Sequence, residues 1–253
     1  MRILFALIAI AAALYIAACA ALYFFQRSLI YYPQPSADSA AASRMNLRSG
    51  EVDLVISIRE RPGPAAVIYF GGNAEDVSGS LPELSQAFAD RALYLMNYRG
   101  YGGSAGSPSE AALHGDALAL FDMAARSHRD IVVVGRSLGT GIAVRLATQR
   151  PVSRLVLVTP YDSLQGLAAA QFPLFPVRWL LDDKYESHRY AHQVVAPTQV
   201  IVAEHDEVIP RTSTDSLFRR FAPGVARLTV LPGAGHNSVS AHPHYLELLR
   251  GSR

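Results

Sequence analysis

A chain of 253 residues has room for one large α/β domain and little more. Half of it is hydrophobic and only 17% is charged, which excludes a disordered or solvating chain. The net charge of +2 is spread over scattered basic residues, so no nucleic-acid partner is expected, and the one cysteine, Cys19, excludes a disulfide within the chain.

Residues 3–25, ILFALIAIAAALYIAACAALYFF, carry no charge. A helix of about 20 apolar residues crosses a bilayer, and Tyr23, Phe24 and Phe25 have the character of an interfacial aromatic belt. The favoured reading of residues 1–25 is a retained signal anchor that makes the protein a single-pass membrane protein. Ala18-Cys19-Ala20 also fits a signal-peptide cleavage site, and Ile16-Ala17-Ala18-Cys19 a lipoprotein box. A buried helix of a soluble protein is the fourth alternative. Arg2 and the terminal amine flank one side and Arg27 and Arg44 the other, a near-even balance; the expected orientation has the N-terminus inside and the following domain on the non-cytoplasmic side. Residues 26–50 contain Tyr31, Tyr32, Pro33 and Pro35 and then small polar residues, and read as a linker.

Residues 51–253 read as one domain. Val52–Ile58 alternates loosely, as an early, partly exposed strand does. Apolar runs of strand length follow at Ala65–Phe70, Ala92–Asn97, Ile131–Val134, Leu155–Val158, Gln199–Ala203 and Leu228–Leu231. Short, continuous Val/Ile/Leu runs suit strands buried on both faces. Between them, Leu81–Ala89, Glu110–Ala125, Leu138–Gln149, Thr212–Phe221 and Val239–Leu249 have helical spacing. Such alternation predicts a mostly parallel sheet flanked by helices, with chemistry beyond the carboxyl ends of its strands.

The run Ile131–Val134 leads into GRSLGTG and then IAVRLATQ. This is G-x-S-x-G between a strand and a helix, the nucleophile elbow of the α/β-hydrolase fold, with Ser137 at its tip. The flanking glycines let strand and helix backbones pass closely. A plain strand-to-helix turn or a capping serine is the bland alternative.

A serine hydroxyl attacks only when a base removes its proton and an acid orients that base. In this fold the chain order is serine, acid, histidine. Asp206 follows the strand QVIVA, and His236 follows LTVL through a Pro-Gly-Ala-Gly loop. Glu204, Glu207 and Asp162 compete for the acid; His205, His242 and His244 compete for the base. The H-x-H spacing of His242 and His244 has no third ligand to complete a metal site, so no metal or cofactor is expected. After Ala65–Phe70 comes Gly71-Gly72-Asn73-Ala74-Glu75-Asp76. That loop supplies one oxyanion donor, assigned to the Asn73 N–H with Gly72 as alternative; the Leu138 N–H supplies the other. The loop lacks the glycine and lysine spacing of phosphate-binding loops.

Together, YRGYGGS at residues 98–104, GSPSE at 106–110, GRSLGTG, AEHDEVIP, GAGHNSV and FFQRSLIYYP resemble the membrane-anchored α/β-hydrolase-domain proteins of the serine-aminopeptidase-like branch. The resemblance covers nearly all of the chain from about residue 22. It implies a Ser-His-Asp hydrolase with a small lid before the strand at Gln199. Members often carry His-Gly-Asn where this chain has Gly71-Gly72-Asn73, and His-Gly where it has Ala203-Glu204. The apolar segment 163–193 fits the lid, and Phe172, Phe175 and Trp179, with Gly72, are candidate substrate contacts. Ordinary packing of two short helices is the alternative.

The expected function is hydrolysis of a carboxylic ester or thioester, with a small-molecule or lipid-like acyl substrate. Peptide cleavage is the enzymatic rival, and a non-catalytic binding protein on a hydrolase fold is the rival of another class.

Overall fold

A computed structural model describes residues 1–35 and 43–251. In chain order the elements are α1 (Arg2–Ile30), β1 (Ser43–Ser49), β2 (Val52–Arg59), β3 (Ala65–Phe70), α2 (Leu81–Ala87), β4 (Ala92–Met96), α3 (Glu110–Ala124), β5 (Asp130–Arg136) and α4 (Leu138–Ala147). They continue as β6 (Arg154–Val158), α5 (Leu164–Gln171), α6 (Val177–Leu180), β7 (Thr198–His205), α7 (Arg211–Phe218), β8 (Ala226–Gly235) and α8 (Tyr245–Arg250). The strands form one sheet in the order β1-β2-β4-β3-β5-β6-β7-β8. The β1–β2 and β2–β4 pairs are antiparallel, and every other pair is parallel.

Strand alternation divides the core between the two faces of the sheet. Ile68, Val133, Leu157 and Val200 pack with Leu113, Leu120 and Ile142 of α3 and α4. Val67, Val132, Val156 and Ile201 face the other way, with Leu81, Leu84, Tyr245 and Leu249 of α2 and α8. From β3 the chain steps to β4 on one side and then to β5 on the other. That reversal opens a crevice at the carboxyl ends of β3 and β5, where ligands bind in sheets of this type.

Of the boundaries that differ from the sequence reading, two bear on how the N-terminal part meets the domain. The first helix does not stop at residue 25 but continues to Ile30, because Tyr31 is the first residue with an extended backbone. The supposed linker of 26–50 is part helix and part strand: Ser43–Ser49 pairs along β2 from Ser43–Ile58 to Ser49–Val52. Its inward side chains, Met45 and Leu47, pack on the core. The buried Ser49 hydroxyl donates to Asp116 at 2.6 Å. SRMNLRS does alternate, but with two apolar residues the signal is weak. Residues 36–42, also in the linker reading, lie outside the described residues.

Candidate active site

The elbow is held by close backbone passage. Ser137 has φ 47° and ψ −117°, a conformation unfavourable for a residue with a side chain, and its N–H donates to Val158 O on the neighbouring strand at 2.9 Å. A Cβ on Gly139 would lie 2.1 Å from Phe70 O, and one on Gly135 2.6 Å from Gly139 O. Only glycine permits α4 to start so near β3 and β5.

His236 Nε2 lies 3.0 Å from Ser137 Oγ. Its Nδ1 lies 2.9 Å from both carboxylate oxygens of Asp206. Burial opposes the charge on Asp206. The His236 hydrogen bond and the N–H groups of Ile209 and Val208 outweigh it, so the carboxyl is held below its ordinary value. The N–H groups donate to Asp206 Oδ1 at 2.7 and 3.0 Å. The His236 N–H donates to Glu207 at 3.0 Å, which fixes the histidine loop.

The competitors are occupied elsewhere. Asp162 accepts from the Ser163 N–H and the Ser213 hydroxyl at 2.7 Å each. Glu204 accepts from the Gly233 N–H at 2.8 Å, with exposed His205 beside it at 3.7 Å. His242 and His244 are outside the cluster, and His244 sits 3.4 Å from Glu247.

In the loop after β3, the Gly72 N–H donates to Glu75 Oε2 at 2.6 Å and is therefore spent. Among the described residues, neither the Asn73 nor the Leu138 N–H has an acceptor. An ideal Cβ at Gly72 would be 3.6 Å from Ser137 Cβ, so the loop lies directly against the elbow. Glu75 organises this loop and was not singled out from the sequence. It also accepts from Tyr69 and Ser80 at 2.7 Å each and pairs with Arg136 at 3.1 Å. A carboxylate three residues past a glycine pair was the only signal it left.

YRGYGGS also has a physical account. Tyr98 donates to Gly71 O at 2.6 Å, and Tyr101 to Asn73 Oδ1 at 2.8 Å, so both rings brace the donor loop. Arg99 forks onto the buried Asp116 at 2.8 and 2.7 Å. Gly102, at φ 56°, lies where a Cβ would meet the Asn97 side chain at 2.0 Å. The Asn73 amide, meanwhile, clasps the end of α1: Nδ2 donates to Ile30 O at 2.5 Å, and Oδ1 accepts from the Tyr32 N–H at 3.1 Å.

Over the site lies a cavity of about 520 Å³, within the range of small-ligand pockets. Phe172 and Phe175 line it, as do Leu164 and Leu167 of α5. Trp179 does not; it is 80% exposed on the outer side of α6. Gly72 is not in the lining either, and its loop reaches the cavity through Asn73. Ser137 itself does not line the cavity, but Asn73 of the loop after β3 and Val208 of the loop after β7 do.

The parallel sheet, the elbow and the strand-end loops define an α/β hydrolase. The sequence pattern of the α/β-hydrolase fold family matches residues 66–185, which include the donor loop and the elbow. The α/β-hydrolase domain-containing protein aho-3 of Caenorhabditis elegans is 32% identical over 230 residues, 87% of this chain and 68% of that one. A Mycobacterium tuberculosis protein, itself named only as uncharacterised, is 37% identical over 232 residues, 84% of this chain and 80% of its own. The chain thus belongs to the α/β-hydrolase-domain family. An esterase from Pyrococcus furiosus shares the fold at TM-score 0.68 and 15% identity, over 87% of this chain and 98% of that one.

Proposed function

We propose that the protein is a serine hydrolase of carboxylic esters or thioesters that works through an acyl-enzyme. The unbroken relay from Asp206 through His236 to Ser137, at 2.9 and 3.0 Å, carries this reading. Ser137 Oγ attacks the acyl carbonyl carbon while His236 Nε2 takes its proton. The Asn73 and Leu138 N–H groups hold the resulting oxyanion. Collapse breaks the bond to the alcohol or thiol, which leaves with the proton from His236. A water then repeats the cycle on the acyl-serine, releasing the acid and free Ser137.

The cavity supports an acyl group rather than the amino end of a peptide. Its lining is apolar apart from Gln26, Asn73 and Gln171, and contains no carboxylate to meet an ammonium group. Apolar side chains of α1 stand exposed along its length, from Ile3 to Phe25. Its 29 residues span roughly 43 Å at 1.5 Å each, more than a hydrocarbon core of about 30 Å. This supports a single-pass anchor; the N-terminus with Arg2 is taken as cytoplasmic, which puts the hydrolase domain on the non-cytoplasmic side.

A fluorophosphonate probe is expected to label the protein and to spare Ser137→Ala. Equal labelling of the two would overturn the mechanism. A C-terminal reporter active only on the cytoplasmic side would overturn the orientation.

A further inference from the structure

We propose that α1 is a wall of the acyl site as well as an anchor, and that the acyl chain of a bilayer lipid ester enters sideways between α1 and the lid. The inference rests on the ester hydrolase reading above.

The lid does not sit over the site facing water; it runs up the anchor helix. Near its tip, the Tyr15 hydroxyl donates to Leu174 O at 2.9 Å, and the Tyr15 ring stacks on Phe175 with centroids 5.8 Å apart. At its base, Gln26 Nε2 donates to Leu180 O at 3.1 Å, and Gln26 Oε1 accepts from the Asp182 N–H at 2.7 Å. Tyr15 and Gln26 are three helical turns apart, roughly 16 Å along the axis. Between them, Ala18, Cys19 and Leu22 are the half-buried positions, the spacing of one helical stripe that Gln26 and Ile30 continue.

That stretch is the half of the apolar run next to the domain. Arg27 follows it, paired with Asp183 at 3.3 Å, and marks the level of water. A helix with Arg27 at the interface carries the lid tip about halfway through a hydrocarbon core of roughly 30 Å. The lid is dressed for that medium. Leu174 is 81% exposed and Trp179 80% exposed, facing outward where lipid would be. Arg178 lies nearer the base, where a long side chain reaches the headgroups.

The cavity lies inside this contact. Leu22, Gln26, Leu29 and Ile30 of α1 form one wall, Phe172 and Phe175 another, and Asn73 and Val208 the floor beside Ser137. An acyl chain lying in the leaflet therefore needs no passage through water to reach the serine. Its ester group would stop at the level of Gln26 and Asn73, the two polar lining residues on the domain side; the third, Gln171, ends α5.

The test uses the full chain in phosphatidylcholine vesicles with two p-nitrophenyl esters, the butyrate from water and the palmitate in the bilayer. Leu22→Trp fills the α1 wall. It is expected to lower kcat/KM for the palmitate at least ~10-fold more than for the butyrate. Leu22→Ala, which enlarges the wall, should move the preference toward longer chains. Phe24→Trp, on the same helix but outside the cavity, should change neither. Equal effects on both esters, or none, from both Leu22 variants would overturn the lateral route. So would a wild type that prefers palmitoyl thioester in water to the vesicle-borne ester. Fluorophosphonate labelling separates the two levels of the argument. An enzyme labelled at Ser137 but indifferent to Leu22 loses only the route, whereas one that takes no label and cleaves neither ester loses the hydrolase reading itself.

Discussion

At the carboxyl ends of the central strands the backbone does the positioning. Ser137 is set by a strained turn and by glycines whose neighbours leave no room for a Cβ, and Asp206 and His236 lie on the strand-end loops beside it. Across the cavity the parts are held by side chains acting over about 150 positions of chain: Gln26 on Leu180 and Asp182, Arg27 and Tyr31 on Asp183. The first region is rigid because its constraints are steric and local. The second is a set of separable contacts, each worth little, that lets α5, α6 and α1 line a pocket without belonging to the sheet. Asn73 belongs to both, with a backbone N–H that has no acceptor among the described residues and a side-chain amide on the end of α1.

The sharpest break is within the rigid region. Asp206→Asn keeps the shape but removes the charge that orients His236, and kcat should fall on the order of 10⁴-fold with the thermal midpoint little changed. The sign of the pH effect is defined. The folded carboxyl lies below its ordinary value, so its support is complete above about pH 4 and is lost only on further acidification. An activity loss between pH 8 and 5 in the wild type is therefore not expected from Asp206, and a pH–rate profile checks this.

Asn73→Ala tests the bridge between the regions. The backbone donor remains, but its hold on Ile30, Tyr32 and Tyr101 is gone. A fall in kcat of about 10²-fold is expected, comparable to loss of an oxyanion donor, with KM for a short ester nearly unchanged. Asn73→Asp keeps the acceptor and should fall between the two. Unaltered kcat in both would show that the anchor and the donor loop are independent.

The smallest effect concerns the packing beneath. His114 on α3 stacks edge-on against Tyr185, and its Nε2 has no partner among the described residues. Burial, then the charge of Arg145, pushes its imidazole down to about 4. The unfolded chain takes the proton first, so stability is complete above about pH 6.5 and declines as pH falls toward 4. A loss on the order of 3 kcal/mol is expected across that window, and His114→Leu should flatten it in chemical denaturation.

Much of this was legible in the residues. Six strand runs and the elbow are continuous segments whose composition reports burial directly, and Ser137, Asp206 and His236 follow strand ends in the order the fold requires. β1 was hidden because SRMNLRS has only Met45 and Leu47 to show its inner face. Glu75 was hidden because a loop carboxylate has no pattern, and its role exists only when Gly72, Tyr69, Ser80 and Arg136 converge on it. Trp179 was misread for the same reason: an apolar residue in a lid faces the cavity or the outside according to a helix rotation that composition does not specify.

Local order along the chain was therefore determined by the sequence alone: the apolar helix, the strand–helix alternation, the strained serine turn and the strand-end loops that bear Asp206 and His236. Tertiary structure decided which carboxylate meets His236, which N–H groups near Ser137 are left without an acceptor among the described residues, and that segment 163–193 lies along α1. The physical reason is reach. Periodicity and turn chemistry act over a few residues, whereas the contacts of Tyr15 with Leu174 and Gln26 with Leu180 join positions more than 150 apart.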